Sequence, residues 1–506
     1  MGVSKGIRIV LMAVKPRWII LVSILLVLAG WQLDTRAQSV TNLYSFIGSP
    51  GDGGNSQSPL VQGSDGNLYG TAVGGTFGPG TNNYGTVFRI SPSGSFANLH
   101  SFKVSDGAHP FAGLVQGADG NFYGTTEQGG NTNLYHGVGA GTVFRITPSG
   151  ILTSLYSFAG VPDGAFPYAE LVQGSDGNLY GTTIAGGNTN YNGAFGNGTV
   201  FRVNPNGTYS NLYSFGSSPS DGINPNTLVQ GRDGSFYSTT ETGGLFGLGT
   251  AFRISPSGSY TNLYSFGSFP TDGAEPNGRL VQGSDCNFYG VTAAGGIKGF
   301  NNPYGYGTVF RISPSGSYTN LYSFTGPPDG RNPYAGVVQG SDGNFYGTTD
   351  QGGTSVNRLN GCGVIFRISP SGDYSNLYSF SNLIGDGIGP EANFVQGSDG
   401  NFYGTTPSGG INNSGTVYRL SVPLNPAPYP INQITNAQVA ATNVIFNVVS
   451  IAGETYQLQF SSSMTPTNWV NVPGVSVTNS IGALLTVTNL GGAVGPQGFY
   501  RFAITP

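Results

Sequence analysis

Large apolar side chains recur along this chain in short runs, and within each run they fall on both parities. In Gly307-Thr-Val-Phe-Arg-Ile312, Val309 stands on one side of an extended chain and Phe310 and Ile312 on the other. In Tyr318–Phe324, Tyr322 and Phe324 oppose Leu321. A strand with one wet face alternates apolar with polar residues, whereas a strand covered on both faces reads like these. The runs are separated by turn signals: Asp-Gly before the alternating stretch at Asp176-Gly-Asn-Leu-Tyr180, and Pro then Gly in Asn204-Pro-Asn-Gly207. The pattern predicts many short strands, each buried on both sides.

These strands come in a repeating set. The Asp of the Asp-Gly-Asn turn recurs at Asp65, Asp119, Asp176, Asp233, Asp285, Asp342 and Asp399, seven copies spaced 52 to 57 residues apart. Each copy holds four strand-like pieces, as in Leu171–Gly174, Asn178–Thr183, Gly198–Val203 and Tyr209–Phe215. Such a period signals a solenoid or a propeller. The first copy is preceded by a fourth-type strand, Val40–Phe46, with no earlier sheet to join, and the last copy stops after its third strand, Gly415–Ser421. Pairing the two closes a ring and leaves no sheet face open. The expected fold is therefore all-β, a seven-bladed β-propeller over residues 38–421 closed by its N-terminal strand.

The motifs Asn-Leu-Tyr-Ser-Phe, Asp-Gly-Asn-Phe-Tyr-Gly-Thr-Thr, Gly-Gly and Gly-Thr-Val-Phe-Arg resemble the tandem repeat of bacterial surface proteins of the Gloeobacter/Verrucomicrobia group, the GloVer repeat, over about three quarters of the chain. The resemblance implies an exported protein with a C-terminal attachment module, and it brings no catalytic residues. After Ser421, the Pro-rich stretch 422–433 reads as a stiff linker. Residues 434–506 then read as short strands. Tyr456-Gln-Leu-Gln459, Trp469 and Phe499-Tyr-Arg501 resemble a small β-sandwich found at the C-terminus of exported proteins in the same bacteria. At the other end, Lys5, Arg8, Lys15 and Arg17 precede the apolar run Trp18–Gly30, and Thr35-Arg36-Ala37 offers a cleavage site, so 1–37 reads as an export signal. That places the protein outside the cell or on its surface.

Charge changes the picture only by exclusion. Just 8% of residues are charged, and removing 1–37 moves the formal net charge from −4 to about −8. A moderately acidic surface does not suit nucleic acid or an anionic membrane. Cys286 and Cys362 fall where other copies have other residues, and the geometry of a propeller puts them on opposite faces, so no disulfide is expected. No cofactor motif and no metal-ligand set stands out, and the chain reads as a monomer.

The short Asp-Gly-Asn and Pro-Ser-Gly turns share one face of such a propeller. The long loops after Gly-Gly and the blade-to-blade linkers share the other, where variable loops on a rigid scaffold carry binding. Candidate ligand-binding residues there are Tyr84, Tyr135, Tyr191 and Tyr304, set among Asn and Gly, with His109, Glu127, Glu241 and Asp350. Glu127, Glu241 and Asp350 hold equivalent positions on blades two, four and six, and spread over separate blades they read as solvated loop charges. The linker aspartates Asp52, Asp106, Asp163, Asp221, Asp272, Asp329 and Asp386 read as turn formers, with a calcium ring as the alternative. Arg89, Arg145, Arg202, Arg253, Arg311, Arg367 and Arg419, near the ends of third strands, are expected to pair with Asp65, Asp119, Asp176, Asp233, Asp285, Asp342 and Asp399 as structural ion pairs. The functional expectation is a non-enzymatic module that binds a glycan or a surface protein through the long-loop face. A polysaccharide hydrolase or lyase on that face, and a purely structural surface protein, are the alternatives.

Overall fold

The computed structural model describes residues 38–422, apart from 49–51, 75–83, 190–194, 219, 270, 298–302 and 356–359, together with strands at 9–11 and between 434 and 505. The remainder of 1–37 and the stretch 423–433 lie outside the described residues, and with them most of the expected export signal and linker.

Five of the seven copies fold into a four-stranded antiparallel sheet in chain order, and the fourth adds Gly222–Pro225 to the same arrangement. The third is Val172–Gln173, Leu179–Thr183, Thr199–Val203 and Tyr209–Ser214. In the seventh, Val395–Gln396, Phe402–Thr406 and Thr416–Ser421 carry Ser39–Ser45 alongside, with Ser39 opposite Ser421 and Ser45 opposite Thr416. The described residues contain no α-helix, and Tyr135–Gly137 forms a 3-10 turn. The protein is an all-β, seven-bladed propeller.

The two-parity pattern has a direct cause in the packing. Phe310 and Ile312 of the fifth sheet lie against Tyr237, Ala251 and Phe266 of the fourth. Val309, one residue away, lies with Phe345, Phe366 and Ile368 of the sixth. The core is thus a series of layers between blades, with no separate core inside one sheet. Close packing also explains Gly290: a Cβ there would stand 2.6 Å from Leu280 and 2.7 Å from the Phe310 ring. The fourth copy has Ser238 at this position. Its linker is one residue shorter, and the Ser238 hydroxyl donates to the carbonyls of Asn226 at 3.0 Å and Thr227 at 2.9 Å.

Two further contacts tie neighbours together. Fourth strands stack aromatic rings across blades, as in Tyr156 on Tyr209 at 4.2 Å and Tyr264 on Tyr318 at 4.4 Å. The Gln of Leu-Val-Gln-Gly does the same with polar atoms. Gln116, Gln173, Gln230, Gln282, Gln339 and Gln396 each accept a backbone N–H from the turn of the preceding blade, and Gln62 accepts that of Ser398 in the last blade, all at 2.8 to 3.1 Å. The series runs through all seven copies and returns to its start.

Residues 1–35 with 423–506 form a second compact unit. In it Ile434–Ala440, Asn443–Val449 and Leu484–Asn489 make one antiparallel sheet, while Thr455–Ser461, Val470–Thr478 and Gly498–Thr505 make another, with Ile9–Leu11 beside Gly498–Tyr500.

Replacing Gln339 by Ala removes its bonds to Ser284 N and to Gly343 O, both 3.0 Å. It is expected to lower stability by about 1–2 kcal/mol, read as a shift of the urea midpoint. An unchanged midpoint would show that the bridge carries no stability.

Candidate functional site

The short-turn face is a structural surface. In the third copy, Asp176 accepts from Asn178 N at 3.1 Å, from Asn178 Nδ2 at 2.7 Å and from the Tyr180 hydroxyl at 2.7 Å. Burial raises this carboxyl, but those hydrogen bonds together outweigh it and hold Asp176 below the usual range, as they do Asp65, Asp119 and Asp399. Burial and the Asp176 charge in turn push Tyr180 up to about 12. The strand register sets Arg202 opposite Tyr180, and its charge opposes that rise.

The expected direct ion pairs are therefore corrected. Among the described residues, ion pairs join His100 to Asp106 at 3.2 Å and Arg279 to Glu170 at 3.5 Å. None joins Arg89 to Asp65, Arg145 to Asp119, Arg202 to Asp176, Arg253 to Asp233, Arg311 to Asp285, Arg367 to Asp342 or Arg419 to Asp399. A tyrosine hydroxyl takes the aspartate in each copy: Tyr69, Tyr123, Tyr180, Tyr237, Tyr289, Tyr346 and Tyr403. The residue opposite each arginine is this tyrosine, which fills the space between the two charges.

On the long-loop face the linker aspartates turn inward. Asp163 accepts from the Tyr156 hydroxyl at 2.8 Å and from Ala159 N at 2.9 Å. Asp52, Asp221, Asp272, Asp329 and Asp386 take the hydroxyls of Tyr44, Tyr213, Tyr264, Tyr322 and Tyr378 in the same way. In the remaining linker, His100 stands where the others have Tyr and meets Asp106. These carboxylates hold the linkers to the fourth strands.

The expected loop aromatics do not converge. Tyr84 packs on the core between the first two blades, and Tyr135 on Phe166 at 4.8 Å. Tyr304 stands 77% exposed, and Tyr191 lies outside the described residues. His109 occupies a left-handed backbone position, φ 55°, with Nδ1 3.1 Å from Gln128 Oε1, and burial lowers its pKa.

That left-handed position is the key to the site. Asn55, His109, Phe166, Asn224, Glu275 and Asn332 occupy it with φ between 52° and 58°, and Gly389 with 64°. Two residues later stand Gln57, Phe111, Tyr168, Asn226, Asn277, Tyr334 and Glu391, and all seven line one cavity. A cavity to which every copy contributes the same position lies on the ring axis, at the mouth of the long-loop face. Tyr168 stacks on Phe111 with ring centroids 4.8 Å apart and remains 45% exposed. Glu241 is also on the lining and accepts from Asn224 Nδ2 at 3.3 Å.

The cavity is acidic. Burial, with the charges of Glu391, Glu127 and Glu241, pushes the Tyr168 hydroxyl upward. Burial lifts Glu127 to about 7, and burial with the Asp350 charge lifts Glu391 to about 7. Glu170 is raised by burial against the pull of Arg279. Glu127, Glu241 and Asp350, expected as separate solvated charges, thus act on a shared neighbourhood around Tyr168 and Glu391. Sequence reasoning missed Phe111, Tyr168, Tyr334 and Glu391. Their one signal is a slot, usually following Pro, four residues or so before Val-Gln-Gly, that holds Gln, Phe, Tyr, Asn, Asn, Tyr and Glu in successive copies.

The family model for the Gloeobacter/Verrucomicrobia repeat matches residues 30–195, 140–302 and 296–427. No curated protein matches the chain. Among solved structures, one similar chain is the extracellular domain of a B. thetaiotaomicron protein assigned to the hybrid two-component systems: 11% identity, TM-score 0.48, covering 90% of this chain and 56% of that one. A fungal alcohol oxidase of the AA5 family, solved with copper, has 12% identity, TM-score 0.46 and coverage of 92% and 99%. A puromycin hydrolase has 12% identity, TM-score 0.45 and coverage of 80% and 60%. The chain spans little more than half the length of the first of these, and each is similar in fold alone.

A glutamate whose pKa is about 7 in the folded protein and about 4.5 when unfolded binds more protons folded than unfolded between those values. It costs stability as pH rises through that window and nothing below it. Glu391→Gln is therefore expected to raise Tm at pH 8 and leave it unchanged at pH 4, by calorimetry at both. Equal shifts at both would contradict the buried placement.

Proposed function

The chain belongs to the Gloeobacter/Verrucomicrobia repeat family, and from there we propose that it is an exported propeller that binds a carbohydrate in its axial cavity, outside the cell. The observation that carries this reading is the Phe111–Tyr168 stack, partly open inside a concave site. A sugar ring presents a C–H face to an aromatic plane and hydroxyls around its edge. Gln57 and Asn277 on the lining supply amide groups for those hydroxyls, while Asn226 there has its Nδ2 tied to Thr239 Oγ1 at 3.0 Å and Pro276 O at 2.8 Å and offers its carbonyl oxygen.

In the same reading, Ser39–Ser45 closes the ring as the fourth strand of the last blade. Its register against Thr416–Ser421 supports this, as do the Asn42 bond to Gly385 O at 2.8 Å and the Gln38 side-chain amide bond to Leu377 O. The strands of 434–506 make a small sandwich that spaces or attaches the propeller. A hydrolytic reading gains from one observation, that Glu127 and Glu391 both titrate near neutrality close to Tyr168.

The test is a glycan array with the purified full chain, followed by titration of each hit and a reducing-end assay. Tyr168→Ala is expected to weaken binding by about tenfold or more, the scale of a stacking contact with its buried area, with Tm unchanged. Binding that survives the substitution intact would move the site elsewhere, and release of reducing ends abolished by Glu127→Gln and Glu391→Gln would establish the hydrolytic reading.

A further inference from the structure

The cavity is a cup, walled on every side. Each of the seven copies puts its slot residue on the lining. Gln57 of the first copy and Asn277 of the fifth stand three blades apart, as far as a ring of seven allows, and line one space. The floor lies two residues beyond the slot. From Tyr168 the chain passes Glu170 and enters Val172–Gln173 on its way to the short-turn face. Glu170 belongs to the third copy, yet its Oε2 lies 3.5 Å from Arg279 of the fifth. On its other side, a Cβ added to Gly113 of the second copy would stand 2.9 Å from its Oε1. The second and fifth copies are again three blades apart, so the carboxylate sits between opposite sides of the ring, in room that the bare Gly113 leaves. The Glu170–Arg279 pair therefore crosses the channel just beneath Tyr168. Two residues of extended chain span at most about 7 Å, which leaves the cup about one sugar ring deep.

A sugar inside a glycan carries two glycosidic bonds, which leave its ring in different directions. A terminal sugar carries one. A groove open at both ends lets both bonds follow it, but in a cup one of the two runs into a wall or the floor. The geometry points to a chain end as the ligand: the cavity takes the terminal sugar of a glycan, its face on Tyr168 and its single glycosidic bond directed out of the mouth. The inference rests on the carbohydrate-binding reading and narrows it. A terminal ring also keeps a hydroxyl that an internal ring has lost to linkage. The amides of Gln57 and Asn277, on far sides of the cup, suit hydroxyls spread around the whole ring edge. Sugars beyond the first stand outside the cup and add little contact, so chain length adds little affinity.

Calorimetric titration of the full chain with maltose and maltohexaose, xylobiose and xylohexaose, chitobiose and chitohexaose, and cyclomaltohexaose, a ring without a chain end, separates the outcomes. In every series that binds, the disaccharide and hexasaccharide are expected to agree in molar affinity within about threefold, and cyclomaltohexaose is expected not to bind. A larger gain with length, or binding of the cyclic hexamer, means that several sugars are gripped along the chain. Either result overturns this inference and leaves the carbohydrate reading standing. Absence of binding in every series overturns both. Reducing the bound disaccharide to its alditol then tells the two ends apart: binding kept assigns the non-reducing terminal sugar, and binding lost assigns the reducing one. Tyr168→Ala, shown folded by its Tm, is expected to weaken both lengths by the same factor. A hexasaccharide that keeps its affinity in that variant is held elsewhere, and the inference falls.

Discussion

Phe310 and Ile312 are buried by the sheet before them and Val309 by the sheet after. Every blade in the described cores is in this position, holding half of two apolar layers and all of none. A four-stranded sheet this small has little interior of its own, so it gains most of its apolar burial from its neighbours. Several features then follow as requirements. Glycine must stand where Leu280 and the Phe310 ring close over Gly290. Large residues must fill both sides of the third strand. The sheets must meet again at the end of the series, because an unmatched layer would expose Phe and Tyr to water. The first and last blades do share such a layer, in which Leu68 and Phe88 lie with Tyr403 and Val417.

Polar groups reinforce the same arrangement without competing with it. Each turn aspartate is occupied by its own Tyr and by Asn, or by Ser235 in the fourth copy, and each linker aspartate by the Tyr, or His100, of the strand before it. The recurring charges are consumed in holding turns and linkers, which explains why none of them marks a site. Chemistry is left to positions the packing does not constrain. One such position per copy faces the axis, and there the chain places Gln, Phe, Tyr, Asn, Asn, Tyr and Glu in turn.

Much of the architecture was legible because it depends on repetition. The period, the four strands and the two-faced burial all leave a mark in every copy, so seven weak signals add up. The site depends on the differences between copies, and a difference carries no period to detect. Tyr168 and Glu391 look like ordinary linker residues until the left-handed turn two residues earlier is known to aim them inward. Glu127, Glu241 and Asp350 were visible as equivalent positions. Their grouping was not, because separation along the chain says nothing of how narrow the mouth is. The arginines misled for a related reason: strand counting placed them near the aspartates, but only the register reveals the tyrosine in between.

The slot after the left-handed turn has a consequence for how such a protein can diverge. The neighbouring Pro or Ser and the following Leu, Val or Phe serve the scaffold, whereas the slot itself faces the mouth, with Asn226 alone also bonded to the next blade. Exchanging the residue there alters one of the seven side chains that the copies place at the mouth, and except at Asn226, which also bonds Pro276 O of the next blade, it leaves the apolar layers between sheets as they are. A chain built this way resembles a combination dial, whose setting can drift one wheel at a time while the mechanism behind it stays in register.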